Sequence, residues 1–186
     1  MLPAGPDSAA STPDAQPGAA HDELLRHLDA AYNLARWLSR NPQDAEDILQ
    51  ESYLRAVRFG GQRRQESARA WLLQIVRNTC NTWLARNRTN GAPAAVLEEI
   101  AAPDSASPDV TAQRRQVAGA VRRAIALLPE PFREVIVLRE IEGLAYREIA
   151  VIVGAPVGTV MSRLSRARER LKELLAGYGA EVADGL

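Results

Sequence analysis

The stretch from Leu128 to Leu175, LPEPFREVIVLREIEGLAYREIAVIVGAPVGTVMSRLSRARERLKELL, restricts the fold of this chain more than any other part of it. It reads as three helical segments divided by two short breaks. The first, Glu130 to Ile141, carries Pro131 near its start, where a missing amide donor is harmless, and Gly143 just past its end. Phe132, Val135, Ile136 and Leu138 make it strongly apolar. The second, Tyr146 to Val153, sets Ile149, Ala150 and Val153 on one face and closes at Gly154. The third starts around Pro156 to Gly158 and repeats Val160, Leu164, Ala167, Leu171 and Leu174 at close to 3.6 residues. Thr159, Ser162, Arg163, Ser165, Arg166, Arg170 and Lys172 occupy its other face.

Two short helices around a tight Gly-containing turn, the second amphipathic with a basic and hydroxylated outer face, form a helix-turn-helix pattern. Such a helix fits the major groove of duplex DNA, where Arg pairs with guanine edges and Ser or Thr with bases or phosphates. The plain alternative is a solvated charged face on a helical bundle.

These residues also resemble a known family. The run from Leu128 to Leu171 is similar to the fourth region of the extracytoplasmic-function sigma factors, RpoE-like bacterial subunits that give RNA polymerase its promoter specificity, and GTVMSRLSRARERL is its most diagnostic part. One departure is Ala145, where the family often has Ser or Thr opening the middle helix. Glu148 keeps its half of a capping box without a hydroxyl partner, a loss expected to cost that helix about 1 kcal/mol. The resemblance implies contacts to the minus-thirty-five promoter element from Thr159, Ser162, Arg163, Ser165, Arg166 and Arg168. Ser162, Ser165 and Arg166 would read bases; Thr159, Arg163 and Arg168 would hold phosphates.

Upstream, Leu24, Leu25, Leu28, Ala31, Tyr32, Ala35 and Leu38 predict a helix over Asp22 to Ser39, ended by Asn41 and Pro42. Asn41 is a candidate N-cap for the next helix, Gln43 to Arg58, which turns Ala45, Ile48, Leu49, Ser52 and Ala56 inward. Asp44, Asp47 and Glu51 line its outside. Carboxylates in a first turn suit the helix dipole, but Glu51 lies beyond that effect. The segment DAEDILQESYLRAVR resembles the family region that docks on the clamp helices of the largest polymerase subunit. The resemblance implies core-polymerase contacts from Asp44, Asp47, Ile48, Gln50 and Glu51.

A loop at Phe59 to Glu66 precedes a helix over Ala68 to Arg86, capped by Ser67, with Trp71, Leu72, Ile75, Val76, Thr79 and Trp83 inward. ARAWLLQIVRNTCNTWLARNR is similar to the family's promoter-melting and minus-ten element. It implies a pocket for an extruded base at Gln65, Glu66 and Ser67, and strand contacts from Arg77, Asn78, Asn81 and Arg86. Extruding a base costs a few kcal/mol, recovered by stacking, edge hydrogen bonds and cationic contacts.

Charge follows the same division. The net charge is zero, 23 basic against 23 acidic residues. Yet Arg63 to Arg88 holds six arginines against Glu66 alone, and Arg163 to Lys172 holds five cations against Glu169. The acids gather at Asp44 to Glu51 and Glu98 to Asp109, so a polyanion and a basic partner are expected at separate surfaces.

The fold expected is all-α: two small helical domains on a flexible linker, the C-terminal one a helix-turn-helix. Residues 1–20 read as a disordered tail, 21–88 and 112–176 as the domains, 89–111 as a Pro-rich acidic linker, and 177–186 as a frayed tail. A further helix, Ala112 to Leu127, is expected to cover the helix-turn-helix. One cysteine, Cys80, fits a buried thiol in a reducing cytoplasm. His21, His27 and Cys80 lack metal-ligand spacing. No membrane insertion, signal peptide, cofactor or catalytic constellation is expected. The partners implied are core RNA polymerase through its clamp helices and flap, promoter DNA and an anti-sigma factor. Two rival readings are a stand-alone helix-turn-helix regulator and a sigma-like decoy for an anti-sigma factor.

Overall fold

A computed structural model describes residues 17–59, 67–89 and 112–184, with side chains left aside at 17–20, 87–89, 112–115 and 178–184. Every regular element among the described residues is helical. In chain order they are α1 (Pro17–Leu25), α2 (Leu28–Ser39), α3 (Pro42–Phe59), α4 (Ala68–Thr89), α5 (Ala112–Leu127), α6 (Glu130–Ile136), a π-helical turn (Val137–Ile141), α7 (Tyr146–Val153) and α8 (Val157–Asp184). Among the described residues no single helix is long and apolar enough to cross a membrane.

In the first domain, α2, α3 and α4 pack on one another. Leu34, Ala35 and Leu38 of α2 meet Ala45, Ile48 and Ala56 of α3 and Leu72, Leu73, Val76 and Cys80 of α4, all buried. The sharp reversal between α2 and α3 follows from the Asn41-Pro42 pair. Proline bars Asn41 from helical geometry, so α2 stops. Arg40 turns the chain with a left-handed φ of 62°, and its amide donates to the Arg36 carbonyl. The Asn41 Oδ1 then accepts from the amides of Gln43 (2.8 Å) and Asp44 (3.3 Å), capping α3 as its sequence predicts. Ser67 caps α4 in the same way, its Oγ accepting from the Ala70 amide at 3.1 Å.

The second domain stacks α6 and α7 on α8, with α5 across them. Val135, Ile136, Leu138, Ile149, Ile152, Val160, Leu164 and Ala167 form its core. Arg133 is buried here at 3% exposure, its Nη1 donating to the carbonyls of Ala126 and Leu128 at 3.1 Å each. It thereby satisfies the orphan carbonyls at the end of α5. Burial pushes its guanidinium down to about 10, and Arg40 of the other domain adds to that shift while Glu130 opposes it.

Four expectations change. The predicted helix over Asp22 to Ser39 is two helices broken at Arg26 and His27, which brings Leu24 inward and leaves Leu25 exposed at 44%. Helix begins at Pro17, inside the expected tail, because proline pre-sets the first helical φ. The segment Glu130 to Ile141 does not end as an α-helix. Its last turn widens, with the Glu142 amide reaching the Val137 carbonyl at 3.0 Å, five residues back. Lastly α8 continues through Gly177 to Asp184, since extending a formed helix costs far less than nucleating one. The flexible-linker reading of 89–111 lies almost wholly outside the described residues, as does that of residues 1–16.

Replacing Asn41 by Ala removes two amide acceptors at the start of α3 without touching the core. Asn41→Ala should lower unfolding stability by about 1 kcal/mol, read as a drop in denaturant midpoint at unchanged slope.

Candidate nucleic-acid interface

On α8 the buried stripe Val160, Leu164 and Ala167 fixes which residues face water. Ser162, Ser165, Arg166 and Arg168 are exposed, and Thr159 and Arg163 are half-buried. The turn ahead of α8 needs Gly154, whose φ of 62° ends α7 and whose amide donates back to the Val151 carbonyl at 3.3 Å. At the other end of α7, Glu148 Oε2 accepts from the Ala145 amide at 2.8 Å. That is the half capping box expected from the sequence. The Ser162 hydroxyl donates to the Thr159 carbonyl at 3.0 Å, which leaves its oxygen as an acceptor.

Arg168 is already engaged. Its Nη2 and Nε donate to Glu140 Oε1 at 2.7 and 3.2 Å, tying α8 to the π-helical turn. Those bonds, with another to Tyr146, raise its pKa. Both partners are about half exposed, so the pair contributes little stability.

On α4 the residues expected to track a strand separate into two groups. Asn78 and Arg86 are exposed and Asn81 half-buried; Asn81, Thr82, Ala85 and Arg86 line a shallow open depression. Arg77, by contrast, faces the second domain. Its Nε donates to Glu134 Oε1 of α6 at 2.8 Å, with the carboxylate only 6% exposed. Two more contacts cross the same seam: Arg69 Nη2 to Glu142 Oε2 at 2.7 Å, and Gln74 Nε2 to the Val151 carbonyl at 3.0 Å. Glu142 is 8% exposed, turned inward just past the π-helical turn, where Asn33 also donates to it at 3.5 Å. The buried apolar residues of both domains form one contiguous cluster behind these polar contacts.

Burial pushes the Glu134 carboxyl up, and the Arg77 guanidinium draws it back down, with Arg163 of α8 a weaker aid. Desolvation therefore outweighs the pairing. The sign follows: ionised Glu134 costs the closed form a penalty that is absent below the ordinary carboxylate range. That penalty is fully developed above its raised pKa.

On α3, Asp47 and Gln50 are exposed, Asp44 half-buried, and Glu51 is paired with Arg55 one turn on. Ile48 is 0% exposed. Its expected contact with a partner is incompatible with this packing, because the same periodicity that sets Asp44, Asp47 and Glu51 outward sends Ile48 into the core. Two residues that the pattern should have flagged are Leu54 (62% exposed) and Val57 (48%), apolar but off the buried stripe of Ala45, Ile48, Ser52 and Ala56. On α8 Met161 (53%) and Val157 (37%) are off-stripe in the same way. Ser67 lies at the edge of the expected base pocket, while Gln65 and Glu66 fall outside the described residues. Among the described residues no group of His, Cys, Asp and Glu is arranged to hold a metal ion. Cys80 is buried, and burial together with Glu134 and Glu130 pushes its thiol up to about 12.

Residues 24–89 match the model of sigma-70 region 2, and residues 118–171 that of sigma-70 region 4. The RNA polymerase sigma-H factor of Pseudomonas aeruginosa is 37% identical over 82% of this chain and 83% of its own length. The chain belongs to the extracytoplasmic-function group of the sigma-70 family. Other relatives agree. The SigM factor of Mycobacterium tuberculosis H37Rv is 39% identical over 86% of this chain and 78% of its own. The SigE factor of Mycolicibacterium smegmatis is 35% identical, and this sigma factor spans 64% of its length.

Among solved structures, the sigma factor RpoE in complex with the anti-sigma factor NepR from Bartonella quintana superposes with a TM-score of 0.68. It is 31% identical and is covered over 95% of its chain, against 83% of this one. CnrH in complex with the cytosolic domain of CnrY superposes at 0.63 with 26% identity, covering 88% of this chain and 91% of that one. The α2–α4 domain is thus region 2 of this sigma factor, and α5–α8 hold region 4.

Arg77→Ala strands a buried carboxylate at the seam between the regions. It should lower unfolding stability by about 2 kcal/mol, less than the roughly 3–5 of a fully buried pair because Arg77 keeps 24% of its side chain in water. Adding Glu134→Gln should restore most of that loss in a double-mutant cycle read by denaturant unfolding.

Proposed function

We propose that this sigma factor binds core RNA polymerase, directs it to specific promoters and helps open the duplex there. The observation that carries this reading is the sorting of three chemistries onto three helices of one chain. Carboxylates lie on α3, Arg and Asn on α4, and hydroxyls with Arg on α8.

Asp44, Asp47, Gln50 and Glu51 suit a basic surface on the clamp helices of the largest subunit. Leu54, one turn past Gln50 and Glu51, adds an apolar contact at the C-terminal end of that acidic face, of the kind that excludes water from a docking patch. Ile48 serves by holding α3 in the core. On the minus-ten side, Asn78, Asn81 and Arg86 offer donors and acceptors to an unpaired strand. Ser67 caps α4 as an acceptor and keeps its own hydroxyl proton to donate to an extruded base, beside Gln65 and Glu66. Arg77 would join them from a starting position in which its Nε is bonded to Glu134.

For the minus-thirty-five duplex, Ser162, Ser165 and Arg166 read base edges while Thr159 and Arg163 hold phosphates. Arg168, half exposed, would meet a phosphate in competition with its weak pair to Glu140. No reaction chemistry is assigned to the chain, since nucleotide addition belongs to the polymerase. An anti-sigma protein is a further partner, because the superposing RpoE and CnrH structures hold partner proteins, in the first an anti-sigma factor.

Run-off transcription with core polymerase over a randomised promoter library tests the reading. A transcript dependent on both core enzyme and a defined promoter is expected. Tight duplex binding without polymerase would point to a stand-alone regulator, and no promoter-dependent transcript to a decoy. Arg166→Ala should weaken promoter binding by about 1–3 kcal/mol and relax one base position, seen by repeating the selection. Asp47→Arg with Glu51→Arg should abolish co-elution with core polymerase at an unchanged helical circular-dichroism spectrum.

A further inference from the structure

The outer face of α8 is not uniformly polar. Its first turns carry two parallel rows, each advancing four residues at a time. One is Gly158, Ser162, Arg166; the other is Val157, Met161, Ser165. Buried Val160 and Leu164 turn away from the first row, and the second runs along the edge of their stripe. Within the second, Met161 stands 53% exposed and Val157 37% exposed, one turn apart, directly beside the hydroxyls of Ser162 and Ser165. A single exposed apolar side chain is ordinary. Two in line on the N-terminal turns of a recognition helix, where residues meet base edges, are in a position to read.

What they would read follows from elimination among the four bases. The major groove presents acceptors on guanine, donors on cytosine, both on adenine, and on thymine an acceptor together with a methyl group. A thioether and an isopropyl group donate no hydrogen bond. Thymine alone offers them an apolar surface. Their spacing also fits: four residues advance a helix by about 6 Å, close to two base-pair steps of about 3.4 Å. Methionine has the reach and flexibility to follow a methyl on the groove floor. Ser162 complements it, because a hydroxyl already donating to the Thr159 carbonyl meets adenine or cytosine amino groups as an acceptor.

We infer that Met161, supported by Val157, is a specificity residue of this sigma factor that packs on the C5 methyl of a thymine in the minus-thirty-five element. The inference rests on the promoter reading above and adds the base to it.

The test uses full-length protein assembled with core polymerase and a promoter duplex drawn from the library selection. Each thymine of the minus-thirty-five element is replaced singly by deoxyuridine, which removes only the methyl. The wild-type holoenzyme should lose about fourfold in affinity at one position, the effect of one buried methyl group. Met161→Ala should bind the thymine and uridine duplexes equally at that position, and Met161→Leu should keep most of the discrimination. Since Met161 is exposed, neither variant should disturb folding. Selective binding that ignores every uridine, or Met161→Ala that discriminates as the wild type does, overturns the assignment while leaving the promoter reading standing. A holoenzyme that selects no duplex at all overturns both.

Discussion

The closed arrangement of this sigma factor turns on one buried carboxylate. Glu134 sits on α6 at 6% side-chain exposure, and water no longer neutralises it. Its charge is answered by a guanidinium from the other region, Arg77 on α4, with Arg163 of its own region contributing less. A few residues away Glu142 repeats the arrangement with Arg69 and Asn33. The regions are therefore joined by acids of the second held by bases of the first, over a shared apolar floor. An uncompensated charge at this depth is costly, so the pairs favour one register of the two domains, while the apolar floor holds them together.

That seam has a consequence for nucleic-acid binding. Under the proposed function α4 tracks the opened strand, and Arg77 on that helix keeps only 24% of its side chain in water while its Nε donates to Glu134. The seam thus engages Arg77 and Gln74, while Asn78 and Arg86 on the same helix stay in water. The recognition helix α8 is not covered in the same way, since Ser162, Ser165 and Arg166 all face solvent. In the proposed function the side chains assigned to the duplex therefore start exposed, whereas Arg77 starts at the seam. Among the described residues Glu51, Glu134, Glu140, Glu142 and Glu173 are each paired with an arginine of the chain itself.

Much of the architecture was legible in the residues. The Asn41 cap, the Ser67 cap, the Gly154 break and the bounds of α5 and α7 follow from local rules that depend on a few neighbouring side chains. Sigma-like order was legible in the two motifs together. What escaped were features that need the third dimension. The π-helical turn at Val137–Ile141 is one, because nothing in VLREI distinguishes it from α-helix. The pairing of Arg77 with Glu134 spans 57 positions of sequence, and both residues look like surface charges in isolation. Ile48 was misassigned because the resemblance to a docking segment was carried to a residue whose phase pointed inward. Leu54 and Met161 were readable after all, as apolar residues out of phase with their helices' buried stripes.

The proposed exchange of Glu134 for nucleic acid as the partner of Arg77 is the centre of this account, and a distance between the two regions tests it. Spin labels at exposed Thr82→Cys on α4 and Arg147→Cys on α7, with buried Cys80 left unlabelled, report that separation by pulsed electron resonance. A short, narrow distribution is predicted for the free chain, moving to longer distances when core polymerase and promoter are both bound. The same short distribution persisting in the promoter-bound holoenzyme would contradict it, because Arg77 would then still be held at the seam while the promoter is engaged.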